Sequence, residues 1–172
     1  EGGRTTVNGV HLLDGTPVHL SDFAADKIFG FSTSYLPDWI EEKSKGTILS
    51  RNVFHLKSKQ MNEAICSSRG MDELRDCLIG FSKNVSVVVD AENFSHMNAF
   101  TKTVMELHGR KRFLFRSAAS LISSFANLPQ NSCCPLDLAA LRLRDSSSRL
   151  KPGLILVGSH VALADQQLEV LL

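Results

Sequence analysis

The sequence lacks most signatures that name a reaction on sight. It has no Gly-x-Ser-x-Gly nucleophile elbow, no Walker-type phosphate loop and no complete Gly-x-Gly-x-x-Gly dinucleotide fingerprint. No residue set forms a nucleophilic triad by pattern. Its 4 cysteines, Cys66, Cys77, Cys133 and Cys134, form no Cys-x-x-Cys pair. Adjacent Cys133 and Cys134 are poor partners for each other, so free thiols in a reduced intracellular protein are favoured over a disulfide or zinc framework. The 6 histidines are scattered without His-x-x-x-His or His-Glu-x-x-His spacing, which argues against a metal site. Excess charge of one sign is also missing: 19 basic and 18 acidic residues leave a net charge of +1. Bulk electrostatics therefore offers no nucleic-acid or membrane-surface role. No apolar run is long enough to span a bilayer and no signal peptide is evident, so a cytoplasmic location is expected.

What is present suits a globular α/β protein. The chain has 172 residues, of which 43% are hydrophobic and 22% charged, enough to bury a core. It begins at Glu1 without Met and stops at Leu172 in a helix-like pattern, which reads as a piece of a longer polypeptide.

Residues 10–13 and 16–20 flank Asp14-Gly15, a strong β-hairpin signal because a type I′ turn needs positive φ at both central positions. Asn8-Gly9 marks a second turn. Pro17 places its strand at an edge. Ser34 is a candidate cap for a helix carrying Pro37 in its first turn and Leu36, Trp39 and Ile40 on one side, with Gly46 at the exit. A strand follows at 52–56. Helical spacing covers 61–68 and 71–81, where Leu74, Cys77, Leu78 and Phe81 form one stripe. The run ValSerValValVal at 85–89 reads as a buried strand ended by Asp90, and 94–107 as a helix. Residues 112–115 predict another strand and 117–125 another helix.

Strands alternating with helices imply an open, mostly parallel sheet of the flavodoxin or Rossmann kind, with the hairpin as decoration. The pattern gives a first domain over residues 1–126. Residues 127–152 hold Pro129, Pro135, Pro152 and a serine run, and read as an interdomain connector with a short helix at 136–143. Residues 153–172 read as the first strand, turn and helix of a second α/β domain.

Ligands of open α/β sheets collect at the carboxyl ends of strands. Three places qualify: Asp90 with Glu92, Arg116 with Ser117, and Gly158 and Ser159 with His160. Each precedes a helix, whose free amides favour anions. Each also has a plainer reading. Asp90 and Ser117 suit helix capping, Arg116 a surface ion pair, and His160 an ordinary loop position.

Residues 3–15, GRTTVNGVHLLDG, are the most informative stretch, and with the rest of the chain they resemble the four-carbon acid sugar kinases. Gly3-Arg4-Thr5-Thr6 resembles that family's Gly-Arg-Thr-Thr step, PheAlaAlaAspLys at 23–27 its Phe-Ala-Arg-Asp-Pro, and ValValAspAla at 88–91 its central strand end. ArgPheLeuPheArgSerAlaAlaSer at 112–120 is similar to its step before the connector, and GlyLeuIleLeuValGlySerHis at 153–160 to the opening of its nucleotide-binding domain. The resemblance implies a domain that binds a threonate-, erythronate- or oxo-tetronate-type acid and a second that binds ATP with Mg²⁺. Its reaction would be in-line phosphoryl transfer to a substrate hydroxyl. It carries Arg4 to the substrate site, where a planar guanidinium suits a carboxylate. Arg116, Ser117 and Asp90 are further substrate contacts, and Gly158 and Ser159 nucleotide contacts. The family's Asp-Asp-Leu-Thr-Gly and Lys-Ile-Asp-Ser-Thr-Leu-Arg-Gly segments do not occur here, so no catalytic residue is assigned and the chain alone is expected to be inactive. Where the family often has Gly-Ser-Ala-Gly-Leu-Ala, this chain has ArgSerAlaAlaSerLeu at 116–121. The sequence also resembles this region of plant multidomain proteins that add hydroxyacid-dehydrogenase-like and class II aldolase-like parts. Expected partners are the sugar acid, ATP and the remaining domains of the parent polypeptide. The alternative is a non-catalytic binding or scaffold module.

Overall fold

Two left-handed turns organise the start of the chain. Asn8 and Gly9 have φ of 49° and 76°, and Asp14 and Gly15 have 49° and 77°, as type I′ turns require. They join β1 (Arg4–Val7), β2 (Val10–Leu13) and β3 (Thr16–Pro17) into a three-stranded antiparallel sheet in the order β1-β2-β3. The third strand is shorter than the sequence suggests. Val18–Leu20 wind into a 3-10 turn, with the Ser21 N–H bonded to the Val18 carbonyl at 3.1 Å. Pro17 has no N–H to extend the ladder.

This computed structural model describes residues 3–128, 144–149, 151–152, 156 and 162–171. The chain divides into two compact units, Glu1–Pro129 and Gln130–Leu172.

In the first unit, α1 (Leu36–Lys43) has Pro37 in its first turn as expected, but Tyr35 is the cap residue. Ser34 is used elsewhere: its hydroxyl accepts the His19 N–H at 2.7 Å and its carbonyl the His11 N–H at 2.8 Å. A 3-10 turn at Ser50–Asn52 takes the start of the expected strand, leaving β4 at Phe54–Leu56. Helices α2 (Ser58–Cys66) and α3 (Ser68–Gly80) follow. Ser67 caps α3 by accepting the Gly70 N–H at 3.0 Å. A methyl group at Gly70 would lie 2.1 Å from the Glu63 carbonyl oxygen, so only glycine lets the two helices meet this closely.

Strand β5 (Val87–Val89) pairs with β4 in parallel, with His55 opposite Val88. The helical crossover between them matches the expected βαβ topology. Leu56 packs in the main core with Val87 and Val89 against it, so His55 and Val88 project to the other face of the pleat. The core is closed by Met61 and Ala64 of α2, Leu74 and Leu78 of α3, Leu107, and Ala99, Phe100 and Val104 of α4 (Phe94–Glu106). Each fully buried leucine there contributes about 1.5–3 kcal/mol of transfer free energy.

Two expectations fail after α4. Residues 112–115 form no strand, and residues 112–117 make no backbone hydrogen bond among the described residues. Phe113 packs against the main core, whereas Phe115 is 40% exposed. Phe115 sits 6.2 Å from Phe100 and 5.3 Å from Phe125, while Leu114 is fully exposed. Alternating apolar side chains suit a strand, but a ladder also needs a neighbouring edge. The next helix, α5 (Ser120–Phe125), starts three residues later than predicted, with Ala119 at its cap. Ser117 therefore caps nothing. The described residues thus show a mixed α/β unit with one small antiparallel sheet and one two-stranded parallel sheet.

In the second unit, Asp145 organises a turn by accepting the Ser147 and Arg149 N–H groups at 2.8 and 2.9 Å. Ala162–Leu171 forms α6, where a helix was expected. The predicted strand at 153–157 and helix at 136–143 lie outside the described residues, apart from Leu156, which is exposed.

Candidate functional site

Asp90 stands at the carboxyl end of β5 and its side chain is wholly buried. Four donors from three parts of the chain meet its two oxygens. Oδ1 accepts from the Gly9 N–H at 2.9 Å and from His55 Nε2 at 2.9 Å. Oδ2 accepts from the Asn8 N–H at 3.0 Å and more weakly from the Ser58 N–H at 3.4 Å. Two donors per oxygen saturate a carboxylate. Ser58 is the first residue of α2, so the carboxylate also faces the positive end of that helix.

The Asn8-Gly9 turn is thereby fixed over the carboxyl ends of β4 and β5. Thr6 and Ala91 exchange two backbone hydrogen bonds of 3.1 Å, and the Gly9 carbonyl accepts the Leu36 N–H at 2.8 Å. The first sheet, α1 and the parallel ribbon therefore meet at one junction around Asp90. A methyl group at Gly9 would lie 2.8 Å from Tyr35 Cε2 and 3.4 Å from His55 Cε1, so both the close approach and the positive φ demand glycine.

A second buried group ties two of the helices together. His96, in the first turn of α4, accepts the Glu92 N–H on Nδ1 at 3.4 Å and so donates from Nε2 to Asn62 Oδ1 at 2.9 Å. This ties α4 to α2. Asn93, not Asp90, caps α4 by accepting the His96 N–H at 3.0 Å. The Ser58 hydroxyl beside Asp90 is buried without a partner among the described residues.

The predicted residues make separate contacts. Arg4 begins β1, two residues before the Thr6–Ala91 bridge, and its guanidinium lies 4.9 Å from the centre of the Phe23 ring. Arg116 is exposed and lies 4.6 Å over the ring of Trp39 in α1. Neither makes an ion pair among the described residues. Ser117 is exposed in the extended segment. Asp90 reaches the site, with its oxygens turned to protein donors. Gly158 and Ser159 lie outside the described residues.

Asn8, Gly9, His55, Ser58, Asn62 and His96 did not emerge as site residues from sequence. The Asn-Gly signal was visible as a turn, but nothing local marks a turn amide that bonds a residue 81 positions away. Burial lowers the pKa of His11 on β2, and the Arg4 charge adds to the effect. Among the described residues no group of three or more His, Cys, Asp or Glu is placed to hold a metal ion, and no helix is long and apolar enough to cross a membrane.

The sugar-binding N-terminal domain family matches residues 1–125. The chain belongs to this family. Such domains are found in four-carbon acid sugar kinases, which places the first unit in a carbohydrate-related role. No curated protein and no solved structure matches the chain.

Proposed function

We propose that this chain is the acid-recognising part of an ATP-dependent kinase for four-carbon sugar acids of the threonate, erythronate or oxo-tetronate type. The observation that carries the proposal is a sugar-binding domain whose parallel strands end at a hydrogen-bonded hub on Asp90. In this reading the polyol chain binds beside that hub. Arg4, with Arg116 as a second cation, receives the carboxylate through its unspent N–H edge. Stacking on Phe23 or Trp39 fixes each guanidinium plane before a ligand arrives, which lowers the entropy lost on binding. Ser117 is retained as a nearby polar contact.

Phosphoryl transfer needs parts beyond the first unit. Residues 153–172, with Gly158 and Ser159, are proposed to begin a nucleotide-binding domain for ATP. Mg²⁺ would neutralise charge on the transferring phosphates. The described residues offer no metal cluster, so no step is assigned to them through it. β4 and β5 are proposed as two strands of a wider, flavodoxin-like parallel sheet in a cytoplasmic parent protein. A plant fusion with dehydrogenase-like and aldolase-like parts remains part of the same proposal.

The test uses calorimetry of the chain with threonate and erythronate, alongside phosphorylation assays of the parent polypeptide with ATP and Mg²⁺. Millimolar or tighter binding by the chain and turnover by the parent support the reading. Binding without turnover would make the chain a binding module, and absence of binding would remove the proposal.

A further inference from the structure

His55 and His96 use their rings differently. His96 is 2% exposed and engages both nitrogens. A ring with both nitrogens satisfied internally is a brace. His55 engages one. Its Nε2 lies 2.9 Å from Asp90 Oδ1, while its side chain keeps 15% of its surface open. Asp90 Oδ1 already accepts the Gly9 N–H, so it serves as an acceptor and Nε2 carries the hydrogen. Nδ1 of the neutral ring then holds a lone pair. It has no partner among the described residues, and it is not among the buried orphan atoms, so solvent reaches it.

The surroundings favour a ligand at that nitrogen. His55 lies on the pleat face away from the main core, beside Gly9 and Tyr35, at the carboxyl end of the parallel ribbon. His11 and His19 also show one bonded nitrogen, but their partners are the hydroxyls of Thr6 and Ser34. Among the described histidines, only His55 is held by a fully buried carboxylate at the strand ends. A carboxylate on one nitrogen fixes the ring's tautomer and orientation and presents the other nitrogen outward.

We propose that His55 is a ligand-contacting residue of the sugar-acid site, whose Nδ1 accepts a hydrogen bond from a hydroxyl of the bound polyol acid while Asp90 holds the ring through Nε2. Asp90 is then a positioning residue. The inference rests on the proposed sugar-acid reading and assigns one hydroxyl contact within it.

The test exploits the two ring positions. In His55→Gln the side-chain amide nitrogen replaces Nε2 and keeps the bond to Asp90, but nothing replaces the Nδ1 acceptor. The chain is titrated with threonate and erythronate by calorimetry, and ring nitrogens are followed by NMR on histidine labelled with ¹⁵N. For the wild type, the His55 Nδ1 resonance should move on ligand addition while Nε2 stays within a small shift. His55→Gln should bind roughly 10-fold more weakly with little change in thermal midpoint, the size of one lost hydrogen bond. Wild-type binding with an unmoved Nδ1 resonance, or equal affinity in a folded His55→Gln, overturns the His55 contact and leaves the sugar-acid reading standing. If the wild type binds neither acid, both fall together. Should His55→Gln fail to fold, the wild-type Nδ1 measurement decides alone.

Discussion

The amide of Gly9 points at Asp90 Oδ1 from 2.9 Å, although 81 positions separate the two residues. This bond, with that of Asn8 to Oδ2, holds the first sheet to the parallel ribbon. Asp90→Asn keeps the shape but turns an NH₂ group toward donors that need an acceptor. It should cost about 3 kcal/mol or more, as expected for breaking a buried, charged hydrogen-bond centre. Urea unfolding of the two proteins measures this directly, and a change under about 0.5 kcal/mol would show that the hub is not a stability element.

Gly9→Ala tests the same junction from the other side. The substitution meets both a left-handed backbone and the Tyr35 ring. A loss of roughly 1–3 kcal/mol is expected. Gly15→Ala is the control, because no atom lies within 4 Å of its added methyl group and only the backbone term remains. Thermal unfolding should rank Gly9→Ala below Gly15→Ala.

Stability should fall as the medium is acidified through the histidine range. Burial, reinforced by Arg4, holds the folded His11 pKa below its ordinary value. The unfolded chain therefore takes up this proton first. The contribution is fully present above about pH 6.5 and is lost as pH falls toward the folded value. His11→Gln should flatten the dependence of stability on pH just below about 6.5. An unchanged slope in denaturant titrations at several pH values would contradict the assignment.

Arg4→Lys should weaken sugar-acid binding about 10-fold, because an ammonium cannot make the two parallel hydrogen bonds of a guanidinium. Phe23→Leu removes only the stacking platform and should cost about 2- to 5-fold. Calorimetric dissociation constants that leave Arg4→Lys equal to wild type would remove Arg4 from the site.

Much of the local structure was legible because its causes are local. Asn8-Gly9 and Asp14-Gly15 announce positive φ, and the Leu74, Leu78 and Phe100, Val104 spacings announce buried helix faces. Caps were less legible. Ser34 and Ser117 have the right chemistry, but Ser34 is claimed by His19, and Ser117 stands before the helix begins. Asp90 was singled out for its place after a strand, yet its partners come from Asn8, Gly9, His55 and Ser58, which only the folded chain brings together. His55 carried no signal, since nothing in its neighbours distinguishes a braced ring with one open nitrogen from a loop histidine.

The stretch at 112–117 has a consequence for handling the purified chain. Its backbone makes no hydrogen bond among the described residues beside a fully exposed Leu114, and β5 pairs on one side only among them. Such backbones recruit strands from neighbouring molecules. Concentrated solutions should therefore grow β-rich oligomers, visible as rising light scattering, and Leu114→Lys should slow that growth by placing a charge at the point of docking.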